Sequence, residues 1–324
     1  MNRPRIYVTR QIPAAGLDLL RAEGEVQVWP SPLPVPRETL LEAVAEAEGL
    51  LTLLSDPIDA ALLAAAPRLR VISQYAVGYD NIDVAAATAR RIPVGNTPDV
   101  LTDATADFAF ALLMAAARRL PEGSANVRQG EWHTWGPQTL LGQDVWGATL
   151  GVIGLGRIGQ AMARRGKGFA MRVLFTDPHC KAEGAALGAE CVPLETLLAE
   201  ADFVSLHCPL TPETRGLIGA RELRRMRPTA ILINTARGAI VQQEALLQAL
   251  REGWIAGAAL DVTDPEPLPP THPLVGLPNC LITPHIASAS VTARTRMAVL
   301  AAENLLAGLR GERLPHCVNP QVYA

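Results

Sequence analysis

Short stretches rich in β-branched residues alternate with alanine- and leucine-rich stretches in the N-terminal third of the chain. The strand-like stretches lie at residues 6–9, 26–29, 50–54 and 71–73. Helical stretches lie between them, for example at residues 14–22 and 38–46. This alternation predicts a parallel sheet, because two parallel strands must be joined by a crossover that is usually a helix.

A second series of the same kind begins at Thr149. Its strand-like stretches lie at residues 150–153, 173–176, 203–206, 230–234, 256–260 and 281–283. Before it comes a helical pattern over about 102–120, for which Thr102 is the predicted N-cap and Pro121 the predicted stop. The glycine- and tryptophan-containing segment 130–147 predicts irregular structure, and a last apolar helix is predicted over about 289–309.

Two series and a C-terminal helix downstream of both predict two doubly wound α/β domains, one inserted into the other. Residues 1–99 and 289–324 are predicted to form a flavodoxin-like domain, and residues 100–288 the inserted domain. A length of 324 residues agrees with two domains.

Composition excludes several classes of partner. The formal net charge is −3 and the basic residues form no run, so we expect no binding to nucleic acid or to anionic membrane. The longest apolar run, at about 108–117, is too short to span a bilayer.

The five cysteines are odd in number and have no C-x-x-C spacing. This pattern favours reduced thiols in a cytoplasmic protein over disulfides or a zinc site. We therefore predict no metal.

The sequence G-L-G-R-I-G at 154–159 follows a predicted strand and opens a predicted helix. In that context Gly154 permits the tight turn, Gly156 lets the backbone approach a pyrophosphate, and Gly159 lets the helix pack on its strand. Asp177 ends the next predicted strand, where an acid holds the ribose hydroxyls. A carboxylate there repels a 2′-phosphate, and no arginine or lysine follows before Lys181, so we predict NAD(H), with NADP(H) left as a possibility.

Three later segments combine cationic, acidic and imidazole side chains after predicted strands, and the ends of parallel strands meet at one edge of a sheet. Arg237 suits a carboxylate because its planar guanidinium pairs with it bidentately. His285 suits proton transfer to a carbonyl oxygen, and Glu266 suits a carboxylate that favours the protonated imidazole. The three residues predict hydride transfer between a dinucleotide and a 2-oxo acid.

These residues also carry a family resemblance. The chain resembles the D-isomer-specific 2-hydroxyacid dehydrogenases, and within them the glyoxylate/hydroxypyruvate reductases. The resemblance covers essentially the whole chain and rests on segments 74–83, 96–102, 154–159, 234–238 and 284–289. It implies two Rossmann-like domains with a cleft between them, and reduction of a small 2-oxo acid such as glyoxylate or hydroxypyruvate to the D-2-hydroxy acid.

The resemblance implies roles for individual residues. The catalytic set is Arg237, Glu266 and His285. Cofactor contacts are implied for Thr105, Gly154, Gly156, Arg157, Ile158, Gly159, Asp177, His207, Pro209, Thr214, Thr235, Ala236, Asp261 and His285, with Asp261 accepting from the nicotinamide carboxamide. Substrate contacts are implied for Leu54, Ala76, Val77, Gly78, Trp135, Arg237 and Ser288, with the amides of Val77 and Gly78 on the substrate carboxylate.

Leu54 and Trp135 match positions that restrict the pocket in glyoxylate reductases, although Leu54 equally suits core packing at a strand end. Trp135 is implied to reach a partner subunit, so a homodimer is expected; the alternative is an interface aromatic without substrate contact. The chain departs from the family at Ala287, where glycine is common, and at Thr263, where an aromatic is frequent.

Other functions stay open at this point. A phosphoglycerate dehydrogenase is expected to show more basic residues near its entrance and often a regulatory extension. Formate oxidation would need a glutamine in place of Glu266 beside the histidine. Some proteins of this fold are NAD(H)-sensing co-repressors, which are expected to carry disordered tails and a peptide groove.

Overall fold

The computed structural model describes residues 3–178 and 182–324, so Lys181 and one of the five cysteines, Cys180, lie outside the described residues. The chain divides into two compact units. Unit 1 comprises Met1–Leu101 and Ala289–Ala324, and unit 2 comprises Thr102–Ser288. Within the described ranges no helix combines the length and the apolar character that a membrane crossing requires.

The first part of unit 1 follows the predicted βα pattern. Its strands are β1 (Arg5–Val8), β2 (Glu25–Val28), β3 (Gly49–Thr52), β4 (Val71–Gln74) and β5 (Val94–Gly95). Its helices are α1 (Ala14–Glu23), α2 (Arg37–Glu46), α3 (Ala60–Ala64) and α4 (Val84–Ala89). All strand pairs are parallel, in the order β2-β1-β3-β4-β5, which is the flavodoxin-like order. Every residue of β3 and β4 is buried, as a sheet covered on both faces requires.

Unit 2 contains a larger parallel sheet. Its helices are α5 (Thr102–Ala117), α6 (Leu120–Arg128), α7 (Arg157–Gly168), α8 (Ala182–Ala186), α9 (Leu194–Glu200), α10 (Ala220–Arg225) and α11 (Gln243–Glu252). Its strands are β6 (Thr149–Ile153), β7 (Arg172–Thr176), β8 (Glu190–Cys191), β9 (Phe203–Leu206), β10 (Ile231–Asn234), β11 (Gly257–Leu260) and β12 (Cys280–Ile282). Three short 3-10 turns complete the regular structure of the described chain, at Gly238–Ile240, Pro273–Gly276 and, in unit 1, Pro320–Tyr323.

The strand order of this second sheet is β12-β11-β10-β9-β6-β7-β8, so the order reverses between β6 and β9. In open parallel sheets a ligand crevice lies outside the carboxyl ends of the strands at such a reversal. The loops that follow β6 and β9 are therefore the expected location of a dinucleotide site.

The chain returns to unit 1 in its longest helix, α12 (Val291–Leu309). The Ser290 hydroxyl caps this helix by accepting from the Ala293 amide at 3.1 Å. The helix packs on α1 and on the central strands β3 and β4. The predicted α/β class, with one doubly wound unit inserted into another, is confirmed.

Two local predictions need correction. Pro121 was expected to end the long helix, but α5 ends at Ala117, Arg119 adopts a left-handed φ of 52°, and α6 starts again with Pro121 in its first turn. Proline is well tolerated there because the first helical amides have no partner within the helix. Cys191 is disulfide-bonded, which contradicts the expectation of reduced thiols throughout, whereas Cys208, Cys280 and Cys317 are free.

Candidate active site

The turn after β6 has the backbone that its glycines predict. Gly154 has a φ of 91°, and a Cβ there would lie 2.7 Å from the Cys208 amide nitrogen. A Cβ at Gly159 would lie 2.1 Å from the Gly154 carbonyl oxygen. Both positions therefore exclude a side chain, and α7 can begin directly against the end of the strand.

Asp177 follows β7 and lies beside this turn. Its Oδ2 accepts a hydrogen bond from the Leu155 amide at 3.0 Å. Strands β6 and β7 are paired in register up to Ile153 and Thr176, so the carboxylate and the glycine turn lie at the same edge of the sheet. This is the location that ribose recognition requires.

The residues present fit a dinucleotide. A Cβ built at Gly156 meets no atom within 4 Å, so the backbone of the turn is open above the start of α7. Gly156 is the N-cap of that helix and contributes no side-chain cap, and a helix N-terminus favours an anion because its first backbone amides carry partial positive charge. Arg157 is exposed and Ile158 half-buried at the same helix end. Within the described residues, the buried hydroxyl of Thr235 lacks a hydrogen-bond partner, as expected of a group that meets a bound ligand.

The segment after β9 borders the switch point. His207 Nε2 lies 2.8 Å from the Ser205 hydroxyl, and burial lowers the pKa of His207 to about 4, so its imidazole is neutral at physiological pH. Burial raises the pKa of the adjacent Cys208 thiol to about 11, which keeps it protonated and unreactive. The Thr214 hydroxyl donates to the Pro209 carbonyl at 2.6 Å and so closes the 209–214 turn.

The three predicted catalytic segments follow strands that end side by side at the same edge of the sheet. Asn234 of β10 is paired with Leu260 of β11, and Leu260 is paired with Ile282 of β12. The loops that carry Arg237, Glu266 and His285 thus leave neighbouring strands side by side.

The structure brings His285 and Glu266 together. His285 Nδ1 lies 2.5 Å from Glu266 Oε1. A carboxylate only accepts, so Nδ1 carries the proton in this pair and Nε2 is the nitrogen left for proton exchange. The second carboxylate oxygen, Oε2, is 3.4 Å from the Thr263 amide. This arrangement can deliver a proton to a bound oxygen.

Asp261 fixes the turn that carries His285. Its buried carboxylate accepts from the Thr283 hydroxyl at 2.6 Å and from the amides of Ile286 and Ala287 at 2.9 and 2.7 Å. His285 itself has a left-handed φ of 53°, which is uncommon for a residue with a side chain. The turn therefore depends on the Asp261 carboxylate, whereas the predicted contact of Asp261 with a carboxamide stays a prediction. Ala287 has no positive φ, so its methyl group causes no strain where glycine is common.

Asn234 orders the segment that carries Arg237. Its Oδ1 accepts from the Ala236 amide at 3.0 Å and its Nδ2 donates to the Arg237 carbonyl at 2.9 Å. Arg237 Nη1 donates to the Ala236 carbonyl at 2.8 Å. The supporting roles of Asn234, Thr283 and Asp261 are not predicted by the sequence. One sequence feature could have indicated these roles: each is a short polar residue at the end of a strand, and such side chains often form hydrogen bonds with nearby backbone groups.

The remaining predicted residues lie in both units. In unit 1, Ala76 is buried, and Leu54, Val77 and Gly78 are half-buried in loops after β3 and β4. In unit 2, Thr105 is buried in α5, Ala236 and Ser288 are half-buried, and Trp135 is 80% exposed in the irregular segment 130–147. Their contacts with substrate or cofactor stay predictions. No cluster of potential metal ligands occurs among the described residues, and none of the predicted chemistry requires one.

Comparison with known proteins agrees with this geometry. Residues 110–287 match the family model of the D-isomer specific 2-hydroxyacid dehydrogenase NAD binding domain. A glyoxylate reductase of Korarchaeum cryptofilum is 55% identical over 322 residues, which are 99% of this chain and 97% of the relative. A solved structure from Thermus thermophilus is 51% identical, with a TM-score of 0.91, and the match covers 97% of this chain and 99% of that one.

A further solved structure is a glyoxylate/hydroxypyruvate reductase of Sinorhizobium meliloti, described as NADPH-dependent and in complex with NADP and malonate. It is 34% identical with a TM-score of 0.87, and the match covers 98% of this chain and 97% of that one. Fold and site thus define an oxidoreductase that uses a nicotinamide dinucleotide. The chain belongs to the D-isomer-specific 2-hydroxyacid dehydrogenase family.

Proposed function

We propose that this protein reduces glyoxylate to glycolate with NADH and also reduces hydroxypyruvate to the D-hydroxy acid. The observation that carries the proposal is the 2.5 Å contact between His285 and Glu266 at the carboxyl ends of neighbouring strands. It is supported by relatives named glyoxylate reductase at 51–55% identity over 99% of the chain.

The residues divide the chemistry between them. A nicotinamide dinucleotide held at the glycine turn 154–159 and Asp177 would supply the hydride for the carbonyl carbon. His285 donates the proton to the carbonyl oxygen, and Glu266 orients the imidazole by accepting from its Nδ1. Arg237 holds the substrate carboxylate and opposes the negative charge that develops on the oxygen.

Substrate recognition in unit 1 is assigned to two loops. The amides of Val77 and Gly78 would bind the carboxylate, because consecutive backbone N–H groups form a small anion site. Leu54 would limit the size of the group attached to the carbonyl carbon. The buried Ala76 and the half-buried Ser288 would complete the lining in their respective units.

Steady-state oxidation of NADH tests the proposal directly. With glyoxylate, hydroxypyruvate, pyruvate and longer 2-oxo acids compared in parallel, we expect the largest kcat/KM for glyoxylate or hydroxypyruvate. A value of at least about 10⁴ M⁻¹s⁻¹ is expected of an enzyme acting on its own substrate. Rates near background with all of these acids would refute the function.

We further propose that NADH is preferred over NADPH. Asp177 carries a negative charge beside the glycine turn, where a 2′-phosphate would have to lie. The Asp177→Asn variant keeps an oxygen for the Leu155 amide but removes the charge. We expect it to raise the NADPH/NADH ratio of kcat/KM by at least about tenfold, since one like-charge contact costs about 1.4 kcal/mol or more.

Asp202→Asn is the matched control for this measurement. Asp202 Oδ2 also accepts from a strand amide, that of Thr149 at 2.8 Å, but at the opposite end of β6. We expect its cofactor ratio to stay at the wild-type value. A wild-type enzyme that already prefers NADPH would overturn the assignment.

We also propose a homodimer in the cytoplasm. Large apolar side chains are exposed along α6 and the irregular segment after it, namely Leu120, Val127, Trp132, Trp135, Leu141 and Trp146. Several large exposed apolar side chains within one segment are typical of an interface, and in a dimer Trp135 would contact the partner's substrate site. A solution mass of twice 34.5 kDa is expected by light scattering, and a monomer at micromolar concentration would contradict it.

A further inference from the structure

The side-chain amide of Asn81 joins separate segments of unit 1. Its Nδ2 donates to the Leu53 carbonyl at 3.0 Å and to the Asp56 carbonyl at 2.8 Å. Its Oδ1 accepts from Gln74 Nε2 at 2.7 Å. One amide group therefore connects the residues on both sides of Leu54 with the end of β4.

Gln74 extends this connection to the Val77–Gly78 turn. It is fully buried, and its Nε2 also lies 3.3 Å from the Gly78 carbonyl. On the other side of the turn, Asn96 Nδ2 donates to the Val77 carbonyl at 2.8 Å. The turn is thus held from two sides, and on one of them the connection passes through Gln74 to Asn81.

The loop around Leu54 is itself fixed by Asp56. Asp56 is 2% exposed, and its Oδ2 accepts from the Thr9 hydroxyl at 2.5 Å and the Leu53 amide at 2.9 Å. Residues 53–56 therefore form one ordered piece. The Asn81 side-chain amide donates to the carbonyls at both ends of the segment 53–56. The Asn81 backbone carbonyl accepts from the Ile58 amide just beyond that segment.

We propose that Asn81 is a positioning residue that sets the separation between the Leu54 loop and the Val77–Gly78 turn, and thereby the size of the 2-oxo acid accepted. The inference rests on the proposed function, because that function assigns the substrate carboxylate to the turn and the size limit to Leu54. Asn81 need not touch the substrate, since it acts through the two loops that it connects.

The Asn81→Asp variant isolates this role. Aspartate keeps an acceptor for Gln74 and nearly the same volume, but it has no donor and places negative charge against two carbonyl oxygens. If Asn81 positions the loops, we expect KM for glyoxylate to rise by about tenfold, with kcat changed by less than about threefold. We expect the glyoxylate/pyruvate ratio of kcat/KM to fall by about tenfold, because a looser wall tolerates an added methyl group.

Asn279→Asp is the matched control. Asn279 also bonds two backbone carbonyls, those of Leu250 and Ala256 at 3.2 and 3.3 Å, but in unit 2. We expect it to lower the melting temperature without changing the substrate ratio. Binding of NADH, measured by fluorescence on both variants, verifies that unit 2 is intact, and Asn81→Ser provides a smaller change if the Asn81→Asp variant does not fold.

The outcomes separate the two proposals. Wild-type enzyme with rates near background for glyoxylate, hydroxypyruvate and the other 2-oxo acids refutes the proposed function. Active wild-type enzyme together with a folded Asn81→Asp variant of unchanged KM and unchanged substrate ratio refutes the role of Asn81. A decrease in kcat that is equal for all substrates, with KM unchanged, would also refute the role of Asn81, because that pattern indicates a general structural effect.

Discussion

Replacing His285 should reduce kcat for glyoxylate at pH 7 by about 10²–10⁴-fold while NADH binding stays nearly unchanged. The reason is that no other group is assigned to protonate the carbonyl oxygen, and general acid catalysis is typically worth that much. The dissociation constant of NADH, from fluorescence, and the steady-state kcat measure the two effects separately.

The choice of variant matters because His285 has a φ of 53°. Alanine is strained in this left-handed conformation, whereas asparagine tolerates it, so His285→Asn removes the imidazole with less disturbance of the turn. His285→Ala and His285→Asn should lose activity to a similar extent. His272→Ala is the control, since His272 accepts from the Leu274 amide in a 3-10 turn and takes no part in the proposed chemistry. Activity retained in His285→Asn would show that the acid is misassigned.

Replacing Arg237 should impair binding and chemistry together. Because the same guanidinium would hold the carboxylate in the ground state and oppose charge in the transition state, Arg237→Ala should raise KM and lower kcat. We expect kcat/KM to fall by about 10³-fold or more, given that hydrogen bonds to charged groups contribute about 1.5–3 kcal/mol each and the contact is bidentate.

Arg237→Lys tests whether the planar fork is required. Lysine keeps the charge but cannot pair bidentately, so we expect it to recover only a minor part of the loss. Arg227→Ala is the control, because Arg227 contributes a partly exposed ion pair to Asp202 in the same unit. A kcat/KM in Arg237→Ala within a few fold of wild type would remove Arg237 from the proposed site.

The elements and the chemistry that depend on local pattern could be predicted from the sequence. Strands β1 to β4 lie within one or two residues of their predicted positions. Strands β1 and β3 contain short buried apolar runs, whereas the edge strand β2 alternates between exposed and half-buried residues, and both patterns are typical of strands. The glycine turn was predictable because only glycine permits the φ of Gly154 and the close contact at Gly159.

Features that depend on tertiary contacts could not be predicted. Strands β5 and β8 contain two residues each, too few for a periodic signal. The left-handed backbone of His285 is maintained by Asp261, which is 24 residues away in the chain and becomes its neighbour only through strand pairing. The connection from Asn81 to both sides of Leu54 likewise requires the fold, although Asn81 was part of a recognised motif.

The interruption of unit 1 by unit 2 has a consequence for synthesis on the ribosome. All strands of the first sheet emerge before residue 101, but α12, which covers α1, β3 and β4, emerges only after the whole of unit 2. A nascent chain therefore completes its second unit while the apolar surface that α12 will cover is still exposed. We therefore expect chaperones to bind the nascent chain at residues 1–101, which are synthesised first but are covered by α12 only at the end of translation.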